Sequence, residues 1–155
     1  MNKPVVVAIA LGSNLGDREA HLDFATNRLR TFLSDLRVSS RYDTAPVDVV
    51  GEQARYLNAA AVGLTTLGPH GVLQQLQTIE AERARTRPYR NAPRTLDLDL
   101  ILYGPLVIED DELTVPHPRF RERRFVLEPL NEIAPDLVDP RSGLSVEELL
   151  ARTRR

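Results

Sequence analysis

The chain has 155 residues, 42% hydrophobic and 27% charged, with a formal net charge of −2. That suits one domain, expected over residues 1–155, with a sizeable core, and it supplies no overall field toward nucleic acid or an acidic membrane. No apolar run nears the ~20 residues of a membrane helix and cysteine is absent, so thiolate zinc sites, thiol nucleophiles and disulfides are excluded and a cytoplasmic protein is expected.

Val5 to Leu11 is an apolar run of strand length, β-branched at its start, and reads as a buried strand. GSNLGD, Gly12 to Asp17, is a turn. Leu22, Ala25, Leu29, Phe32 and Leu33 recur at helical spacing and predict a helix over residues 18–34. Val38, Ser40 and Tyr42 alternate with polar partners and predict a second strand, and residues 45–55 form a loop. YLNAAAVGLTT, Tyr56 to Thr66, reads as a third strand. Pro69 opens a helix with Val72, Leu73, Leu76 and Ile79 on one face. An arginine-rich loop over residues 83–94 leads into a strand from Leu96 to Tyr103. Short extended pieces fill residues 105–124. A helix from Arg124 to Ile133 stops before Pro135, and the S-x-x-E box at Ser145 opens a short last helix. The order β-α-β-β-α-β, with C-terminal helical additions, predicts an α+β, ferredoxin-like antiparallel sheet with helices on one face.

The strand in RNAPRTLDLDLILYG carries the chemistry. Strand alternation puts Leu96, Leu98, Leu100 and Leu102 on one face and Asp97, Asp99, Ile101 and Tyr103 on the other. Two carboxylates two residues apart lie roughly 7 Å from each other. They repel unless a divalent cation such as Mg²⁺, completed by waters and substrate phosphates, sits between them. Taken alone, D-x-D fits equally well a strand end with two solvated acids. Its neighbours favour the metal. Only Lys3 is a lysine, so the other 19 basic residues are arginines, and nine of these flank the aspartates: Arg83, Arg85, Arg87, Arg90 and Arg94 before them, Arg119, Arg121, Arg123 and Arg124 after. Carboxylate-held metal beside guanidinium forks is a means of holding polyphosphate.

Tyr56 and Asn58 point the same way on a strand. They offer a stacking face and a donor–acceptor edge suited to a flat heterocycle; a core tyrosine beside a capped asparagine fits the residues as well. His117, between two prolines in LTVPHPR, fits either a phosphate contact or a plain hydrogen-bonding role, and the three histidines are not spaced for zinc.

In order and spacing, several motifs together resemble the 6-hydroxymethyl-7,8-dihydropterin pyrophosphokinase family. They are ALGSNLGD (Ala10 to Asp17), YDTAPV (Tyr42 to Val47), YLNAA (Tyr56 to Ala60), Ile79–Glu80, RNAPRTLDLDLILYG, and LTVPHPRFRERRFVLEPLNEIAP (Leu113 to Pro135). The resemblance implies one pyrophosphokinase domain that moves pyrophosphate from ATP to the pterin's hydroxymethyl group in folate biosynthesis, releasing AMP. It implies two Mg²⁺ ions on Asp97 and Asp99, with Arg85 and Arg94 as further catalytic residues. The implied pterin site is Gly12, Thr44, Ala45, Val47, Tyr56, Asn58 and Phe125. The implied ATP site is Gln77, Glu80, Arg85, Arg87, Arg90, Arg94, Leu100, Thr114, His117 and Arg123. Loops 45–55 and 83–94 are expected to act as lids. The sequence departs from the family's best-known bacterial form at Asn91, Glu112 and Pro118, where that form has tryptophan, arginine and tyrosine, and its arginine loop is one residue shorter.

The expected partners are ATP and the pterin, with the chain a monomer and neither nucleic acid nor membrane engaged. A non-catalytic ferredoxin-like ligand-binding module is the alternative; it gives no reason for two carboxylates beside an arginine loop. An RNA-binding sheet would want more than 5% aromatic residues and a basic face. A palm-type nucleotidyl transferase explains the acids but not the Tyr56/Asn58 pair.

Overall fold

The structure is a computed structural model that describes residues 3–45, 55–84 and 96–153. Its elements run β1 (Val5–Ser13), α1 (Arg18–Leu29), β2 (Ser34–Val38), β3 (Tyr42–Thr44), β4 (Tyr56–Thr65), α2 (Pro69–Ala84), β5 (Asp97–Tyr103), β6 (Ile108–Glu109), β7 (Thr114–Val115), a 3-10 turn (Phe120–Glu122), α3 (Arg124–Ile133) and α4 (Val146–Arg152). The main sheet has the order β2-β4-β1-β5, with β3 also on β4, and every pairing in it is antiparallel. This is the ferredoxin-like arrangement expected from the element order. Among the described residues no helix is long and apolar enough to cross a membrane.

Alternation along the central strands builds two cores. Val7, Ile9 and Leu11 of β1 face α1 and α2, packing with Leu22, Leu29, Val72 and Leu76. Ala8 of β1, with Ala60 and Val62 of β4, lies under α3 and α4 beside Phe120, Leu127, Leu130 and Val146. Helices therefore cover both faces of the sheet, not the single face expected. The C-terminal helices supply the second layer because the even-numbered face of β1 and β4 is itself apolar. Leu76 and Leu127, both buried, mark the two layers, each contributing about 2 kcal/mol through its removal from water.

Three local departures from the sequence pattern have physical causes. α1 stops at Leu29, not residue 34. The Thr31 hydroxyl donates to the Arg28 carbonyl at 2.6 Å, and the Thr31 and Phe32 amides make tighter i→i+3 bonds. The strand expected around residues 38–42 is two strands broken at Ser39–Arg41. There the Ser39 hydroxyl accepts the Ala60 amide at 2.9 Å, taking a ladder position with a side chain. In β5 the register with β1 shifts between Ala8 and Ile9, so that Ile101 is the extra residue. Leu102 consequently leaves the leucine face for the α3/α4 core, and Tyr103 joins the α1/α2 core, donating its hydroxyl to the Leu67 carbonyl at 2.5 Å.

Beyond α3 the chain folds back around Asp139, which is fully buried. Its carboxylate accepts from Arg121 Nε at 2.5 Å and the second Arg121 nitrogen at 2.9 Å, from the Ser142 hydroxyl at 2.6 Å, and from the Arg141 and Ser142 amides at 3.1 and 3.3 Å. Burial pushes its pKa up, but the bonds from Arg121 and Ser142 outweigh that and hold it at about 2. A carboxylate with a folded pKa below its unfolded one adds stability above the unfolded value, 3.8, and loses it as pH falls through the folded value. The difference is worth about 2 kcal/mol. Urea midpoints taken from about pH 5 to about pH 2 are expected to fall in the wild type and to fall less steeply in Asp139→Asn; parallel slopes would show that Asp139 does not carry the transition.

Candidate active site

The far end of β1 belongs to the sheet face that packs on α3 and α4. Directly paired residues on adjacent strands share a face, and the register sets Asp97 opposite Gly12, Gly12 opposite Asn58, and Asn58 opposite Tyr42. One row thus crosses four strands, with a carboxylate at one end and an amide roughly 10 Å away, two strand spacings on. Gly12 between them has no side chain. A Cβ there would meet Asn58 Oδ1 at 3.2 Å and the Tyr56 ring at 3.8 Å, so glycine keeps the floor of the row clear. Tyr56 and Asn58 share this face as expected.

Asn58 is buried at 6% exposure and donates its amide to Thr44 Oγ1 at 2.5 Å. Ala45 follows, exposed, as the last residue described before position 55. Val47 lies outside the described residues, as do Arg85, Arg87, Arg90 and Arg94 and most of the two expected lids. The flanks of the first of these are tied together: Arg55 Nε pairs with Asp43 at 2.6 Å, and Arg18 reaches both Asp43 at 3.3 Å and the Arg55 carbonyl at 2.9 Å. The bond from Arg55 holds the Asp43 carboxyl below the usual range.

Asp97 is half-buried and Asp99 exposed, on either side of buried Leu98. The Leu98 amide points out of the sheet and donates to Glu80 Oε2 of α2 at 2.7 Å, so Glu80 fixes the start of β5. Alternation aims the Leu100 amide to the same open edge, while the Leu100 side chain, 4% exposed, is core. Leu100 can therefore meet a ligand through its backbone alone. Gln77 is exposed on α2, and Thr114 is half-buried in β7.

His117 is drawn to this edge by its own amide, which donates to the carbonyl of the bulged Ile101 at 2.9 Å. Its Nδ1 accepts the Arg119 amide at 3.1 Å, which leaves the proton of the neutral ring on Nε2. Burial pushes the His117 pKa down, with the Asp99 charge acting in the opposite sense and Arg123, Arg119 and Arg121 adding to the fall. Arg123 lies 5.6 Å over the Phe125 ring and has no carboxylate partner among the described residues. The other arginines of that run are engaged elsewhere: Arg119 with Glu122, Arg124 with Glu128, and Arg121 with Asp139. Phe125 stands half-buried in the first turn of α3.

Glu132 is a residue that sequence reading passes over. From α3 it accepts the Ser40 hydroxyl at 2.6 Å, the Ser40 amide at 2.9 Å and the Tyr42 hydroxyl at 2.7 Å. These bonds, Ser40's first, keep its carboxyl below the usual range. They tie α3, which carries Phe125 in its first turn, to the strand that carries Thr44. Tyr42 stands in the YDTAPV motif, but its partner is 90 residues away, and no local pattern marks it.

A family model described as 7,8-dihydro-6-hydroxymethylpterin-pyrophosphokinase (HPPK) matches residues 8–135. The chain is 47% identical over 130 residues to the 2-amino-4-hydroxy-6-hydroxymethyldihydropteridine pyrophosphokinase of Bacillus subtilis, covering 83% of this chain and 77% of that protein. It is 42% identical over 147 residues to the protein of the same name from Methylorubrum extorquens, covering 93% and 90%. Against the mitochondrial folate synthesis bifunctional protein of Arabidopsis thaliana, identity is 46% over 134 residues, 86% of this chain but 24% of the relative, so the chain spans about a quarter of that protein's length. The solved structure of wild-type Plasmodium falciparum HPPK-DHPS superposes with a TM-score of 0.76 over 98% of this chain and 45% of that one, at 14% identity, a likeness of fold. With 128 residues under the family model and close relatives matched along most of their length, the chain belongs to the 7,8-dihydro-6-hydroxymethylpterin-pyrophosphokinase family.

Proposed function

We propose that the chain transfers the pyrophosphoryl group of ATP to the hydroxymethyl oxygen of 6-hydroxymethyl-7,8-dihydropterin, releasing AMP, in folate biosynthesis. The observation that carries this reading is the row Asp97–Gly12–Asn58 across the far end of β1, in a chain of this family. The buried Asn58 amide and the backbone of Thr44 and Ala45, with Val47 beyond, read the donor–acceptor edge of the pterin. Tyr56 and Phe125 take its two ring faces, and the side-chain gap at Gly12 lets the flat ring lie against the sheet. Asp97 and Asp99 hold two Mg²⁺ ions. Among the described residues no third acid or histidine completes a protein cage, which fits a cation that keeps its waters and substrate phosphates. Bound there, Mg²⁺ supplies neutralisation of the charge on the transferring phosphates.

His117, through Nε2–H, and Arg123 donate to phosphate oxygens. The Leu100 backbone, Gln77, Glu80 and Thr114 bound the nucleotide along the outer edge of β5, and Arg85, Arg87, Arg90 and Arg94 add cationic contacts. The hydroxymethyl oxygen attacks the β-phosphorus and releases its proton, the bond to the oxygen bridging the α- and β-phosphorus breaks, and AMP leaves with that oxygen and the electron pair of the broken bond. Alignment of the two substrates and exclusion of water carry most of the rate. The chain acts as a cytoplasmic monomer, with ATP and the pterin as its partners and no nucleic acid or membrane.

The test is a product assay with ATP, Mg²⁺ and the pterin. Pterin-dependent AMP supports the reading; ADP would mean single phosphoryl transfer; pterin binding without nucleotide consumption would favour a binding module. Asp97→Ala and Asp99→Ala are each expected to lower turnover by about three orders of magnitude with the circular-dichroism spectrum unchanged, and near-normal activity in either ends the two-metal assignment. Glu132→Gln, which loosens β3 from α3, is expected to raise KM for the pterin roughly tenfold with KM for ATP nearly constant; equal rises in both would remove Glu132 from the pterin side.

A further inference from the structure

We propose that Asp139 is a positioning residue for the nucleotide side of the site, acting through Arg121 on the 117–123 segment that carries His117 and Arg123. The inference rests on the reading of His117 and Arg123 as phosphate contacts.

That segment links β7 to α3 with one 3-10 turn as its regular structure. It needs outside support to hold two phosphate ligands in place. One support is the His117 amide on the Ile101 carbonyl. A second is Phe120, fully buried in the α3/α4 core. The third is Arg121, whose two nitrogens meet the two oxygens of Asp139 at 2.5 and 2.9 Å. A planar fork on a carboxylate fixes direction as well as distance, so Arg121 cannot swing without breaking both bonds.

The far end of the clamp is itself rigid. The Asp139 amide donates to the Leu144 carbonyl and the Gly143 amide to the Asp139 carbonyl, both at 2.8 Å, which closes residues 139–144 on themselves. Arg121 and Arg123 lie two apart on this clamped stretch, and they divide the work: Arg121 has its carboxylate in the fold, while Arg123 has none among the described residues. Asp139 also lies past residue 135, where the family match ends, while Arg121 lies within it, so the clamp joins the matched region to a part of the chain that the family pattern does not describe. A buried ion pair by itself says little about net stability, which makes substrate affinity the informative readout.

The experiment is steady-state kinetics of the full chain, varying ATP and the pterin in turn, on Asp139→Asn, Arg121→Gln, the double variant, and Arg123→Gln for comparison. Asp139→Asn and Arg121→Gln are each expected to raise KM for ATP about tenfold, with KM for the pterin within about twofold, because a displaced phosphate contact weakens one substrate only. The double variant should be no worse than the worse single one, since both break the same pair. If folded Asp139→Asn and Arg121→Gln keep the wild-type KM for ATP while Arg123→Gln raises it, Asp139 is a structural pair alone; the inference falls and the nucleotide-site reading stands. If Arg123→Gln leaves KM for ATP unchanged, that reading falls and takes the inference with it. Should Asp139→Asn fail to fold, Arg121→Gln decides the matter, since it opens the pair from its more exposed end and leaves Asp139 three hydrogen bonds.

Discussion

The extra residue in β5 at Ile101 is the constraint on which the site depends. Up to Leu100 the strand keeps a strict two-residue period, leucines toward α1 and α2, aspartates toward the other face. Continued without interruption, that period would send Tyr103 beneath α3 and α4, far from the Leu67 carbonyl that takes its hydroxyl, and would draw Leu102 out of the second core. The bulge lets the strand present acids at one end and two consecutive apolar side chains to the second core at the other. It also turns the Ile101 carbonyl outward, where the His117 amide takes it. The carboxylates are thus placed by the regular stretch before the bulge, and the histidine that feels Asp99 by the carbonyl of the bulged residue itself. Bulges beside functional sites that re-aim side chains are a recurrent device.

On the proposed reading, the two ligand sides around that strand are anchored separately. The proposed pterin side is tied by Glu132, which joins α3 to Ser40 and Tyr42, and by Asn58 on Thr44. The proposed nucleotide side is tied by Glu80 to the Leu98 amide and by Asp139 to Arg121. All four anchors run from side chain to a partner at least 14 positions away in the chain. In-line transfer requires the hydroxymethyl oxygen and the β-phosphorus to be aligned within a few tenths of an ångström, and independent anchors let each substrate be held without transmitting its motion to the other.

The fold was readable where the pattern is local. The leucine–aspartate alternation placed β5, the S-x-x-E box placed α4 with both capping bonds formed, and the apolar spacing placed α3 at Arg124–Ile133. Apolar periodicity does not register a hydroxyl that replaces a ladder bond, so Ser39 split one expected strand into two. Nor does it register a bulge, so Leu102 and Tyr103 exchanged faces. The second helical layer was missed for a related reason: Ala8, Ala10 and Ala60 are too small to announce an apolar face, yet they let α3 come close. Of the site, the paired acids and the Tyr56/Asn58 pair were legible because residues two apart on a strand must share a face. Glu132 and Asp139 were not, because an acid on a helix or in a loop looks the same whether it faces water or a partner across the molecule.

The near-absence of lysine changes how a charge run is to be understood here. Nine arginines around the aspartates read as a phosphate clamp, but three of the four that follow β5 hold carboxylates of the fold, and Arg83 lies 4.7 Å over the Phe24 ring and donates to His21 at 2.8 Å. A guanidinium can do this where an ammonium cannot, because its flat, weakly hydrated fork both stacks and bonds in two directions. In a chain with one lysine, structural and ligand-binding cations are therefore the same residue type, and count and spacing do not separate them. The separating property is the partner. An arginine whose fork is closed by a buried carboxylate, as Arg121 is by Asp139, contributes position; one that rests on an aromatic ring with no carboxylate among the described residues, as Arg123 does, still has its donors to give to an anion.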